Sequence, residues 1–235
     1  MRLDDPISVR EEYATEEGLA GRKAAYRFAE GPDARQVAFE AVAESAPQRI
    51  LEVGCGEGEL AERCVRELGC EVIASDQSER MVELTRARRI DARVADVQDL
   101  PFRDGEFDCA IAAWMLYHVP DVDRALAELA GVLRPGGRLV AVTNSPEHLG
   151  ELFDLVEKER LPTTFSGDNG AELLRGHFSS VERRDAYGWI AFPDRNAAQS
   201  YVDASAQLLG GSKLPEFEGP LRVRRAPVVF VADKA

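Results

Sequence analysis

Ile50-Leu51-Glu52-Val53-Gly54-Cys55-Gly56-Glu57-Gly58-Glu59-Leu60 is the stretch on which the reading of this chain turns. An apolar run closes on glycines at three alternate positions, and apolar residues at helical spacing (Leu60, Ala61, Cys64, Val65, Leu68) follow at once. The pattern is strand, tight turn, helix. Glycine reaches φ > 0 and lets a ligand lie directly on the backbone, while the first turn of the helix aims unpaired N–H groups at the same place. The stretch has the form of a nucleotide-type cofactor loop.

Moving outward, Gly69 stops the helix and Cys70-Glu71-Val72-Ile73-Ala74-Ser75 reads as a second strand that delivers Asp76 at its carboxyl end. Asp76 follows Gly54 by 22 residues, where a carboxylate can accept from both hydroxyls of a ribose; Ser78 is placed to cap the next helix and leaves Asp76 for that role. A short strand, residues 92–95, ends in Asp96-Val97. Residues 107–113 form an almost wholly apolar strand of the kind covered on both faces. Trp114 to Pro120 leads to a helix capped by Asp121, with Ala125, Leu126, Leu129, Val132 and Leu133 inward. Arg134-Pro135-Gly136-Gly137 forces a turn, and strand five runs over residues 138–143. Ser145-Pro146 is expected to start a helix carrying Leu149, Leu152, Phe153 and Val156. Residues 181–192 read as a sixth strand and 226–233 as the last. Strands alternating with helices predict an α/β, Rossmann-like, doubly wound and mostly parallel sheet with its ligand above the carboxyl ends of the strands.

The flanks fit around that core. A helix capped by Thr15 would place Leu19, Arg22 and Tyr26 on one face, and a second spans about residues 34–46. Arg22 has two readings on spacing alone, a snorkelling surface residue or a carboxylate clamp. Residues 193–225 are an insert before the last strand, with a helix (Ala198, Tyr201, Val202, Leu208, Leu209) and a Gly- and Pro-containing loop. The expected organisation is one domain over 1–235: N-terminal lid helices over 1–46, a cofactor-binding core over 47–145 and a cap insert over 193–225.

Composition narrows the partners. The 235 residues carry a formal net charge of -13, and a polyanion is repelled by such a field unless a local basic face overcomes it. The short arginine clusters at 86–89 and 222–225 read as solvated faces, so no nucleic-acid partner is expected. Cys55, Cys64, Cys70 and Cys109 have no metal-ligand spacing and read as small buried residues of a reduced protein, with no metal site. The first residues have no signal-peptide core and no apolar run is long enough to span a membrane, so a cytoplasmic protein with no membrane partner is expected.

Five ordered motifs resemble those of the class I S-adenosylmethionine-dependent methyltransferases: residues 52–58, Asp76, Asp96-Val97, residues 116–121 and residues 133–137. The resemblance runs through at least residues 48–145. A narrower similarity, to a bacterial group with an N-terminal Tyr and a Leu-x-x-Arg helix, rests on residues 13–22 and on Thr143-Asn144-Ser145-Pro146-Glu147-His148-Leu149; Gly18 stands where that pattern has Asn. The resemblance implies that S-adenosylmethionine is the cofactor, that Arg22 reaches its methionine carboxylate and that Tyr13 helps close the lid. It further implies Asp76 at the ribose and Asp96 and Val97 at the adenine, with Gly54, Cys55, Gly56, Gln77, Met81, Ala113 and Trp114 also binding the cofactor; Glu52 is placed for the sulfonium or for the methionine ammonium. The reaction it implies is in-line methyl transfer to an O, N or C nucleophile of a small-molecule acceptor, by a monomer or homodimer. His118 is the candidate catalytic base, its alternative being a structural hydrogen-bonding residue. His148 is a second candidate cleft residue, and Trp114, Tyr117, Trp189, Phe192 and Tyr201 are either an aromatic mouth or core. Three rivals stand beside this reading. A nicotinamide-dependent oxidoreductase needs its third glycine where Glu59 stands; a non-catalytic cofactor-binding protein would keep the same fold; an RNA methyltransferase fits the charge poorly.

Overall fold

The computed structural model describes residues 3–5, 9, 17–209 and 211–235. Its strands, in chain order, are β1 (Ala29–Glu30), β2 (Arg49–Val53), β3 (Glu71–Asp76), β4 (Asp91–Val94), β5 (Phe107–Ala113), β6 (Leu133–Asn144), β7 (Ser180–Asp185), β8 (Gly188–Phe192), β9 (Leu221–Arg225) and β10 (Pro227–Asp233). Seven of them form one sheet in the order β4-β3-β2-β5-β6-β10-β7. The pairs β3–β4, β2–β3, β2–β5 and β5–β6 are parallel, whereas β10 runs antiparallel to both β6 and β7.

Alternation along the central strands sorts side chains onto two cores. Ile50, Cys109, Ile111, Val140 and Val142 pack with the helices Ala34–Ala43 and Glu59–Leu68. Leu51, Val53, Ala110, Ala112, Leu139 and Ala141 pack on the opposite face with the helix Val122–Val132. Both faces are therefore covered, which is why β5 and β10 are buried along nearly their whole length. The order of the strands reverses between β2 and β5, and the carboxyl ends of these two strands make a crevice of the kind that holds ligands in open α/β sheets.

The sequence-based elements are corrected at three places. Residues 181–192 are two strands: β7 pairs with β10 in the large sheet, while β8 joins β1 and β9 in a separate three-stranded antiparallel sheet. The chain crosses between sheets at Gly188, where a Cβ would stand 2.2 Å from the Glu30 carbonyl oxygen. The turn before strand five lies inside β6 as an irregularity, since Phe107 pairs with Leu133 but Cys109 with Arg138. The helix expected from Ser145 begins only at Gly150 and ends at Leu155. Ser145 N–H donates to Ala226 O (2.8 Å) and Leu149 N–H to Arg224 O (2.8 Å), so residues 145–149 are bound to the junction of β9 and β10 before the helix can start.

A third core gives the insert its substance. Phe192, Tyr201, Val202, Leu209, Leu214 and Val223 pack with Leu149, Leu152, Phe153 and Ala25, joining the insert to the N-terminal helix Glu17–Ala24 and to the segment after β6. Asp194 caps the insert's helix, Arg195–Ala204, by accepting from Ala197 N–H at 2.8 Å. All four cysteines are free and buried, and burial holds the Cys109 thiol up at about 12.

Candidate active site

The turns that leave β2, β3, β5 and β6 at their carboxyl ends open on one cavity of about 840 Å³, roofed by the N-terminal helix and by the insert. The turn after β2 is held rigidly. Gly54, Gly56 and Gly58 have φ of 65°, 55° and 74°, Cys55 N–H donates to Ser75 O (3.0 Å) and Gly58 N–H to Cys55 O (2.9 Å). The Thr85 hydroxyl donates to Gly56 O at 2.9 Å from the helix Glu79–Ala87. Gly54 faces Met115 so closely that a Cβ would stand 2.6 Å from the Met115 Cβ, and the cavity opens where that side chain is missing.

Two carboxyls flank the turn. Asp76, at the end of β3, accepts from Gly56 N–H (3.0 Å) and Ser78 N–H (2.9 Å); its pKa is raised by burial, against which the N–H bonds pull it down. Each oxygen has a second lone pair for a ligand hydroxyl. Glu52 is 3% exposed, and burial pushes its carboxyl up to about 8, opposed by a hydrogen bond from Ala61 N–H and reinforced by the charge of Asp76. Its Oε2 has no hydrogen-bond partner among the described residues, although Glu52 forms part of the cavity wall. A buried carboxyl oxygen left without a partner costs stability.

The roof is tied to the turn by Lys23, whose ammonium lies 2.5 Å from Glu57 and 3.0 Å from Glu59. Arg22, one residue earlier, is in the wall and donates to Ala204 O at 3.1 Å. Tyr13 and Thr15 lie outside the described residues. Trp114 closes β5 in the left-handed region (φ 54°), with its indole N–H 3.4 Å from Asn144 Oδ1. A bulky residue held there is a strained position of the kind found at ligand clamps. Cys55, Gln77, Val97 and Ala113 also line the cavity.

Two of the expected contacts take other positions. Met81 is completely buried within the protein and is absent from the cavity wall, because the first turn of its helix points it inward. Asp96 is likewise outside the wall; its carboxylate folds back to Gln98, accepting from the backbone N–H at 2.9 Å. The aromatic set divides. Trp114, Tyr117 and Tyr201 line the cavity, Phe192 is in the insert core, and Trp189 lies on the small sheet beneath the guanidinium groups of Arg222 (4.6 Å) and Arg224 (5.5 Å). His118 lines the cavity, with Nδ1 2.8 Å from Leu3 O; a carbonyl only accepts, so Nδ1 carries the proton. His177 pairs instead with Asp123 (2.8 Å).

Sequence reasoning missed Met115, Tyr26, Arg35, residues 160–163, Phe165 and Ser166, all of which contribute to the wall. The first was legible in principle, since it directly follows Trp114. The others reach the cavity through tertiary packing that no local pattern records.

A doubly wound sheet whose glycine turn at the switch point faces a partnerless buried carboxylate and a strand-end Asp defines a protein that binds a nucleoside cofactor carrying a cationic group. The sequence of a family described as a methyltransferase domain matches residues 51–141. The chain is 38% identical over 183 residues to a demethylmenaquinone methyltransferase of Thermus thermophilus, covering 73% of this chain and 79% of that protein. It is 37% identical over 109 residues to the methyltransferase GfsG of Streptomyces halstedii, covering 43% of this chain and 39% of that one. The chain thus spans between about two fifths and just over half of the length of some curated relatives it matches. Among solved structures, a Thermotoga maritima SAM-dependent methyltransferase, a possible histamine N-methyltransferase, shares the fold at a TM-score of 0.57 and 24% identity, with 90% of this chain and 92% of that one covered. The chain belongs to the S-adenosylmethionine-dependent methyltransferase family.

Proposed function

We propose that this chain transfers the methyl group of S-adenosylmethionine to an O, N or C nucleophile of a small apolar acceptor by in-line displacement. The observation that carries the reading is Glu52 Oε2, buried and partnerless at the wall beside the glycine turn, matched to the methionine ammonium. Asp76 takes the ribose hydroxyls, Val97 lies along the adenine, and Arg22, on the wall where the roof helix meets the insert, reaches the methionine carboxylate. When bound, the cofactor supplies a sulfonium methyl that is already electrophilic. The protein's share is therefore to align the acceptor and exclude water, a contribution worth ~7–11 kcal/mol. Where the nucleophile keeps its proton, His118 is the base, because with Nδ1 committed to Leu3 its Nε2 is the nitrogen with a lone pair.

The same cavity disfavours a pyrophosphate. Glu57 and Glu59 both line it at the start of the helix Glu59–Leu68, where a dinucleotide would place its phosphates. Among the described residues no helix is long and apolar enough to cross a membrane. Calorimetry with S-adenosylmethionine, S-adenosylhomocysteine and NADH tests the proposal. Micromolar binding of the first two without NADH is expected, and stabilisation by NADH alone sinks it.

A further inference from the structure

Ser145 to Leu149 is stitched to the crossing between β9 and β10, and His148 makes one of the stitches. Ala226 is the single residue between these strands and is fully buried. Its carbonyl accepts from Ser145 N–H, and its N–H donates to His148 Nδ1 at 3.1 Å. A buried backbone N–H without a partner is costly, so the imidazole is held with Nδ1 unprotonated and the proton on Nε2. This is the tautomer opposite to that of His118, on the same cavity wall.

His148 Nε2 has no hydrogen-bond partner among the described residues. It is also absent from the fully occluded side-chain atoms that lack partners. It must therefore face open volume, and His148 is a cavity-lining residue. The ring neither gains nor loses a proton near neutral pH, since burial and then the charge of Arg225 press its pKa down to about 3. The wall it shares carries the apolar Leu149, Phe153, Leu161, Pro162 and Phe165 together with the polar Asn144, Ser145 and Arg160.

Resting on the methyltransferase reading, we propose that His148 is a specificity-determining residue whose Nε2–H donates to a carbonyl or hydroxyl oxygen of the methyl acceptor. An oxygen that meets this fixed donor gains a hydrogen bond there; a hydrocarbon of the same shape leaves the N–H desolvated and unpaired. The residue is a fixed donor and cannot serve as a base, in contrast with His118.

The test compares 1-tetralone with tetralin, which differ by the carbonyl, on the protein saturated with S-adenosylhomocysteine. Tetralone is expected to bind about tenfold more tightly to the native chain. Asn at position 148 can keep an acceptor for Ala226 N–H while removing the Nε2 donor, so His148→Asn is expected to lose the preference and keep S-adenosylhomocysteine affinity. His148→Gln returns a donor near the Nε2 position and should restore the preference at a lower melting temperature. Nitrogen NMR of labelled histidine gives a reading independent of folding yield: Nδ1 stays unprotonated from pH 5 to 9, and the Nε2–H resonance moves on adding tetralone but not tetralin. Equal affinities, undetectable tetralone binding, a preference that survives His148→Asn, or a protonated Nδ1 overturns the proposal. Failure of S-adenosylhomocysteine to bind instead removes the methyltransferase reading beneath it.

Discussion

Gly54 and Met115 meet where β2 and β5 end: an added Cβ on the glycine would lie 2.6 Å from Cβ and 2.7 Å from Cγ of the methionine. The glycine also has φ 65°, so Gly54→Ala meets two penalties, ~1–2 kcal/mol for a left-handed non-glycine residue and ~1–3 kcal/mol for overpacking. Gly69→Ala separates them, since Gly69 has φ 67° with no atom within 4 Å of an added Cβ. Urea unfolding is expected to give at least about 2 kcal/mol for Gly54→Ala and only about 1 kcal/mol for Gly69→Ala. Equal losses at the two positions would mean that the Met115 contact is soft.

Glu52 makes the free protein sensitive to pH. Its carboxyl titrates near 8 in the folded chain, above its ordinary value of 4.5, so between these values the folded state holds more protons than the unfolded one. Stability contributed here is present at low pH and lost as pH rises toward 8. Without cofactor, Glu52→Gln should therefore melt at a higher temperature than the native protein at pH 8.5, with the difference closing by pH 5. Binding reverses the preference, because an ammonium partner favours the ionised carboxylate. At pH 6.5, S-adenosylhomocysteine should release close to one proton from the native protein and none from Glu52→Gln. Calorimetry in buffers of different ionisation enthalpy reads that number directly.

The glycine turn, Asp76 and the apolar β5 were legible because each is written in local spacing: alternate glycines, an acid at a strand end, an unbroken apolar run. What was not legible depends on pairing at a distance. β7 and β8 form a single strand-like stretch in sequence, and only the close approach of Gly188 to Glu30 assigns them to different sheets. The Ser145-Pro146 pair carries a good helix-start signal, but two backbone bonds to Ala226 and Arg224 postpone the helix to Gly150. The site divides the same way: the glycine-turn end of the cavity follows a motif, whereas Phe165 and His148 reach the wall through distant partners, Phe165 O accepting from the Thr143 hydroxyl and His148 Nδ1 from Ala226 N–H.

Lys23 predicts how the roof is fastened. Its ammonium serves both Glu57 and Glu59 at 20% side-chain exposure, the chief ion-pair link between the helix Glu17–Ala24 and the glycine turn. Partly exposed pairs contribute little to global stability, so Lys23→Gln should cost no more than about 1 kcal/mol in overall unfolding. Its effect belongs to local opening. Hydrogen exchange of residues 18–24 should quicken several-fold in the variant, and 1 M salt should bring the native protein part of the way toward it. Unchanged exchange in this helix would place its anchoring in the Gly21–Ala204 contact instead.

Asp76 ends β3 and Asp96 follows β4 by two residues; both were read as cofactor contacts, yet only Asp76 enters the cavity wall. Asp76→Ala removes a half-buried acceptor on the cavity wall, and it also frees Gly56 N–H and Ser78 N–H. A loss of at least about 2 kcal/mol in S-adenosylhomocysteine binding follows, roughly thirtyfold in Kd. Asp96→Ala removes a carboxylate already spent on Gln98, and its effect on Kd should stay within about threefold. Asp76→Asn discriminates further, because one amide oxygen can still accept while the other position becomes a donor set against Gly56 or Ser78 N–H; it should fall between the two. Thirtyfold weakening by Asp96→Ala with no effect of Asp76→Ala would exchange their roles and require the adenine and ribose ends of the cavity to be reassigned.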